Sequence, residues 1–324
     1  MASRTGPTLP RMSRLCLGMM SYGDPAWAPW VVGQDAARVL FRQCLENGIT
    51  CFDTANYYSD GESERILGRL VREHGGRHEL TLATKVGLPV ADGRGLSAAQ
   101  IARQAEASLR RLETDYIDLY QVHSWDDAVP VEETLGALEA LVDAGKIRAY
   151  GCSNLDHLQI GQAARAAAAL GARGYASAQL QLNLLYQEEL RATVPACARH
   201  GLHIMAYSPL ARGYLAGPAA GDAEAAARLA SDAKGQRLYG GPRGARVRAE
   251  QLRIAAELGA EPAAVALAWV LAQPGVRSVI VGASQSSHLD VALRGRDLRL
   301  PAQALDRLAA AYEPRDYLRV RLNP

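Results

Sequence analysis

Asp53, Tyr58, Lys85 and His123 put a carboxylate, a phenol, an ammonium and an imidazole just past three short apolar runs, residues 49–52, 80–84 and 116–120. A phenol titrates at about pH 10 in water, so as a proton donor at neutral pH it gains from neighbours that lower that value, and Lys85 partnered by Asp53 could supply them. His123 could hydrogen-bond the oxygen that receives the proton. Such a set suits protonation of a carbonyl oxygen while hydride reaches its carbon, or the reverse removal of a proton from an alcohol. Other apolar runs lead into polar residues in the same way: Ser153 and Asn154, Gln179 to Gln181 with Asn183, Tyr207-Ser208-Pro209-Leu210, and Gly282-Ala283-Ser284.

These residues need elements to bring them together. Runs at 14–17, 49–52, 80–84, 116–120, 147–150, 177–181, 203–206 and 278–281 read as eight strands. Between them lie helical patterns with glycine stops. Residues 36–45 end at Asn47-Gly48, and 131–142 carry a stripe of Leu135, Leu138, Leu141 and Val142 before Gly145; further stops fall at Gly171, Gly201 and Gly259. From the second to the seventh, strand starts recur about every 30 residues, the size of one βα unit. Alternating strands and helices imply a parallel sheet, and eight without a domain break imply one (β/α)8 TIM barrel spanning residues 1–324. An open doubly wound sheet would show G-x-G-x-x-G after its first strand, and residues 17–23 read Leu-Gly-Met-Met-Ser-Tyr-Gly instead. Barrel chemistry sits at the C-terminal strand ends, so all the polar residues above converge on one mouth. Residues 211–248 break the rhythm and read as a long loop, which in a compact barrel is commonly a functional lid; a short helical extension begins near Pro301.

Composition removes other classes. The chain has 324 residues, 48% hydrophobic and 22% charged, as in ordinary globular proteins. Lys plus Arg number 36 against 34 acidic residues, a net charge of +2 without like-charge blocks, which argues against nucleic-acid binding. The five cysteines are scattered, with no C-x-x-C and no Cys/His cluster, which points to free thiols in the cytoplasm and to no metal. The longest apolar stretch, Ala263 to Ala272, falls short of the ~20 residues of a membrane helix, and the N-terminus lacks a secretory pattern. No heptad or unusually apolar face speaks to oligomeric state.

The ordered motifs resemble those of the aldo-keto reductases: Phe52-Asp53-Thr54-Ala55 with Tyr58 five residues after the aspartate, Thr84-Lys85, Val122-His123, Gly145 to Arg148 leading to Gly151-Cys152-Ser153-Asn154, Ala206 to Leu210, and Gly282-Ala283-Ser284. The resemblance runs from about Leu15 to about Leu293. Residues 17–23 and His123-Ser124-Trp125-Asp126 are most similar to the bacterial and fungal aryl-alcohol-dehydrogenase-like members. It implies reversible, NADP-dependent reduction of an aldehyde or ketone, with NAD as the alternative cofactor and without a metal. Tyr58 would then donate the proton, Asp53 and Lys85 would tune it, and His123 would orient the carbonyl. Ser153, Asn154 and Gln179 would hold the nicotinamide amide with Tyr207 stacked on the ring. Ser208, Leu210, Gly213 and Leu215 would reach the pyrophosphate, Met20, Asp53, Gly282, Ser284 and His288 would complete the cofactor site, and the long loop 211–248 would fold over the bound cofactor.

The segment that would select the adenosine end departs from the family pattern. Residues 284–292 carry neither Arg nor Lys, only His288, and end in Val291-Ala292 where the family often has Glu-Asn. Arg243, Arg246 and Arg248 are candidate substitutes for the missing cation. Tyr22, Trp27, Trp30, Tyr57 and Trp125 are expected to wall an apolar substrate pocket. Trp269 reads as core and His203 as a satisfied core or barrel-end histidine; His74, His78, His157 and His200 read as solvated. A nucleotide-binding regulatory subunit of the same fold is the rival function, and a metal-dependent barrel hydrolase, which would want clustered ligands, is more distant.

Overall fold

The computed structural model describes residues 9–28, 30–217 and 232–317. Its strands are β1 (Leu15–Gly18), β2 (Cys51–Asp53), β3 (Thr81–Val86), β4 (Ile117–Val122), β5 (Ile147–Ser153), β6 (Ser177–Gln181), β7 (His203–Tyr207) and β8 (Val276–Val281). Each pairs in parallel with the next, and β1 pairs with β8, so the sheet closes into a barrel with the expected strand count and order. Helices α1 (Gln34–Glu46), α2 (Glu62–His74), α3 (Ala98–Leu112), α4 (Val131–Asp143), α5 (His157–Leu170) and α6 (Thr193–Arg199) fill the first six crossovers. The seventh holds α7 (Ala233–Tyr239), α8 (Gly241–Leu258) and α9 (Pro262–Leu271); α10 (Ser286–Asp297) and α11 (Ala302–Ala310) follow β8.

Local chemistry explains the boundaries. Asp156 caps α5 by accepting from the Leu158 and Gln159 N–H groups, with Gln159 returning the bond in a capping box. Gly75, Gly171 and Gly259 end their helices in the left-handed region that lacks a Cβ penalty. Helix α9 is buried at every position from Ala263 to Leu271, so its apolar run serves the core, Trp269 included. No single helix among the described residues is long and apolar enough to cross a membrane.

Two apolar layers result. Outside the barrel, strand and helix faces interdigitate, with Phe41 of α1 stacked on Phe52 of β2 at 4.6 Å. Inside, Cys16, Cys51, Ala83, Leu119, Ala149, Ala176, Met205 and Ile280 fill the lower barrel, and Leu9 and Met12 pack against them. Two residues further along β2, β3 and β4 stand Asp53, Lys85 and Gln121. The next inward layer is therefore polar.

Three expectations change. Strands β3, β4 and β5 run two or three residues beyond the apolar runs, so Lys85 and Ser153 lie within strands. Polar side chains at the mouth bond one another, and the backbone ladder continues beneath them. Residues 211–248 are not loop throughout: α7 starts at Ala233, capped by Asp232, and α8 starts at Gly241 with Pro242 in its first turn. Residues 218–231, the middle of that stretch, lie outside the described residues. His203, finally, is exposed at the start of β7.

Candidate active site

Asp53 ends β2, Lys85 stands on neighbouring β3, and Tyr58 opens the turn between β2 and α2. The Lys85 Nζ donates to Asp53 Oδ2 at 2.5 Å, to the Thr54 carbonyl at 2.8 Å and to the Tyr58 hydroxyl at 3.4 Å. It also lies 5.0 Å from the Tyr58 ring centroid. The His123 ring, just past β4, meets the Tyr58 ring edge-on at 5.8 Å. The four residues singled out from the sequence thus form one cluster at the C-terminal mouth.

Electrostatics sets their protonation. Burial opposes the charge on Lys85, but Asp53 and Tyr58 outweigh it, and the ammonium is held above its usual value. Burial also raises the Tyr58 phenol; Lys85 pulls it down and Asp53 pushes it up, and the net is upward. The expected lowering by Lys85 is present but does not win. Burial, then the Lys85 charge, hold the His123 imidazole well below its ordinary value, so the ring is neutral. Its Nδ1 is buried without a partner.

The turn carrying Tyr58 is strained and braced. Ser59, Asp60 and Gly61 follow it at φ of 50, 51 and 85°, the first two costing roughly 1 kcal/mol or more each. Ser59 Oγ accepts from the Asp24 N–H at 2.8 Å, and a Cβ on Gly23 would lie 2.3 Å from Ser59 Cβ, so the β1–α1 loop docks on this turn only because Gly23 lacks one. Behind β3, the fully buried Glu64 of α2 accepts from Thr84 Oγ1 and Arg111 Nε, each at 2.6 Å. This fixes the strand next to Lys85.

Of the expected nicotinamide residues, the structure joins four. Tyr207 OH donates to Asn154 Oδ1 at 2.7 Å, Asn154 Nδ2 donates to the His123 carbonyl at 2.9 Å and to Ser153 Oγ at 3.0 Å, and Ser153 Oγ donates to the Gln179 carbonyl at 3.2 Å. Asn154 and Ser208 take φ of 60 and 54° at the strand ends. Around the second turn the picture differs from expectation. The N–H groups of Gly213 and Leu215 are both bonded to the Leu210 carbonyl, and Leu215 is fully buried, so neither offers a free donor. Arg212 grips Asp232 through Nε and Nη2 at 2.6 and 2.9 Å. Arg243 and Arg246 pair with Glu313 and so are engaged by the C-terminal segment.

On the β8 side, Gly282 and His288 are exposed and Ser284 is half-buried. His288 Nδ1 lies 3.3 Å from the Ser284 N–H and its Nε2 lies 3.1 Å from Gln285 Nε2. Met20, in the turn after β1, is exposed. Trp27 meets Trp30 at 5.7 Å and Tyr57 at 6.0 Å, both edge-on, and builds an aromatic wall beside Tyr58. Trp125 packs partly against the core. Tyr22 belongs elsewhere: its fully buried hydroxyl donates to the Ala283 carbonyl at 2.6 Å, so it ties β1 to β8 and offers no surface to a ligand.

Two residues at the site escaped the sequence reading. Gln121 Nε2 donates to Asp53 Oδ1 at 3.1 Å, and Tyr239 OH accepts from Gln181 Nε2 at 2.6 Å. Gln121 had a signal, an amide two residues past Leu119 on the barrel-facing side of β4. Tyr239 had none, because its helix packs back from a remote segment.

The aldo/keto reductase family model matches residues 14–313. The chain is 33% identical to aldo-keto reductase AMT2 of Alternaria alternata over 93% of this chain and 89% of that protein. It is 30% identical to versiconal hemiacetal acetate reductase of Aspergillus parasiticus over 97% of each chain. It is 29% identical to the putative aryl-alcohol dehydrogenase AAD16 of Saccharomyces cerevisiae over 96% of each. Barrel, strand-end cluster and similarity over nearly the whole length agree, and the chain belongs to the aldo/keto reductase family.

Proposed function

We propose that this chain is a single-domain oxidoreductase that reduces an aldehyde or ketone to the alcohol, reversibly, with Tyr58 as proton donor. The observation that carries the reading is Lys85 Nζ lodged between Asp53 Oδ2 and the Tyr58 hydroxyl, beside a neutral His123. Tyr58 keeps its proton at neutral pH because burial raises its titration. Lys85, itself held as an ammonium, faces that hydroxyl and stabilises the phenolate left when the proton departs. The neutral His123 orients the substrate carbonyl toward Tyr58. The aromatic wall of Trp27, Trp30 and Tyr57 favours apolar or aromatic carbonyl compounds.

A nicotinamide nucleotide, when bound, supplies the hydride. The amides of Asn154 and Gln179 and the Tyr207 ring, all at the same mouth as Tyr58, suit a nicotinamide carboxamide and ring. The adenosine end fits NADP less well: residues 284–292 offer His288 as their one basic side chain. His288→Arg should therefore raise NADPH affinity over NADH by about tenfold, read by fluorescence titration. All five cysteines are free and buried, which supports a cytoplasmic setting.

The deciding experiment is a carbonyl substrate panel run with NADPH and NADH separately on wild type and Tyr58→Phe. The variant should still quench nucleotide fluorescence on binding yet lose at least a hundredfold in reduction. Undiminished turnover by Tyr58→Phe would refute the role of Tyr58.

A further inference from the structure

Gln121 is fully buried in the polar layer of the barrel interior, directly above the apolar layer that holds Leu119. A buried amide costs free energy unless its bonds are made, and a Leu or Met of similar volume would avoid that cost. The bonds Gln121 makes are specific. Its Nε2 donates to Asp53 Oδ1 at 3.1 Å, and its Oε1 lies 3.4 Å from Gln179 Nε2, which donates to the same Asp53 oxygen at 2.9 Å. The other carboxylate oxygen, Oδ2, is left to Lys85. Register places Gln121 beside Lys85 on one side and Gly151 on the other; a Cβ on Gly151 would lie 3.5 Å from Gln121 Cγ and 2.4 Å from Ser177 Oγ. The glycine leaves room for Ser177 of β6, and a Cβ there would only touch Gln121.

We propose that Gln121 is a positioning residue of the reduction: with Gln179 it clamps Oδ1 of Asp53, keeping Oδ2 aimed at Lys85, and through Lys85 it supports Tyr58. The inference rests on the proposed reductase chemistry. Two amide donors on one oxygen fix the rotation of the carboxylate; with one removed, it can turn away from Lys85. The titratable groups facing Asp53 are Lys85 from β3, Tyr58 from the turn after β2 and Cys16 from β1, with His123 beyond Lys85 at the end of β4. The β6 residue that touches it, Gln179, is uncharged.

Gln121→Met removes the amide at nearly constant volume, and Gln121→Glu replaces it with a group that donates when protonated and repels Asp53 when ionised. For Gln121→Met kcat for carbonyl reduction should fall by about tenfold with KM little changed, the effect of one lost donor to a carboxylate. For Gln121→Glu activity should survive at acid pH and fall as pH rises. A packing role alone would lower the activity of Gln121→Glu equally at every pH; that outcome, or an unchanged kcat in Gln121→Met, overturns the proposal. The aim of Asp53 Oδ2 at Lys85 is also read without turnover, in a crystal structure of Gln121→Met. There the Asp53 carboxylate should be turned from its place against Lys85 Nζ, and an unmoved carboxylate overturns the proposal independently. If wild type reduces no carbonyl compound, the reductase reading fails while the crystal structure of Gln121→Met still decides whether Gln121 positions Asp53.

Discussion

The Tyr58 phenol is pulled in opposite directions, and the balance decides which form rests in the site. Burial raises its titration, Lys85 lowers it and Asp53 raises it, with a net rise. Lys85→Met removes the one lowering influence, so Tyr58 should titrate at still higher pH. The expected outcome is reduction slowed by about tenfold or more at pH 7, because a weaker acid transfers its proton less readily. The pH at which alcohol oxidation switches on should move upward. Tyrosinate absorbance, taken as the difference from Tyr58→Phe, follows the same group directly; a phenol titration left in place would contradict the role given to Lys85.

Elements hold these residues through a few buried polar ties. The turn after β6 presents Glu188 and Glu189, both buried, to the C-terminal segment: Tyr312 OH and the Arg315 N–H donate to Glu188 at 2.8 Å, and Tyr317 OH donates to Glu189 at 2.9 Å. Burial pushes the Glu189 carboxyl up to about 7. Between the ordinary carboxyl range and that value, the folded chain carries a proton that the unfolded chain lacks. Stability from this group is therefore full at acid pH and lost as pH rises toward 7. Glu189→Gln keeps an acceptor for Tyr317 and abolishes the titration. At pH 8 it should melt several degrees above wild type, the gain being ~3 kcal/mol at most, and the gap should narrow toward pH 5. Melting curves across that range check it; a gap independent of pH would show that Glu189 does not titrate as described.

The ring of helices is packed against itself as well as against the barrel. Gly68 of α2 is buried against the end of α3, where a Cβ would lie 2.7 Å from the Arg111 carbonyl oxygen and from Leu112 C. In a free helix Gly→Ala gains about 1 kcal/mol. Here the obstacle is backbone, which cannot swing aside, and overpacking of about 1–3 kcal/mol outweighs the gain. Gly68→Ala should lower the denaturant midpoint; a raised midpoint would mean that α2 and α3 separate freely.

Much of this molecule was legible locally. The strand starts, the glycine stops and the identity of the strand-end groups follow from apolar periodicity and residue type, because a βα unit is specified within about 30 residues. The order of motifs along the chain was enough to identify the fold and the cluster of Asp53, Tyr58, Lys85 and His123. Partnership was not legible, because it depends on register and closure between residues remote in sequence. Only the folded barrel turned Tyr22 inward to Ala283, gave Arg243 and Arg246 to Glu313, and filled the donors of Gly213 and Leu215 within their own turn. It also set Gln121 and Gln179 on one oxygen of Asp53, 68 and 126 residues away along the chain. Sequence supplied the polar groups at the strand ends; tertiary structure decided which atom each one holds.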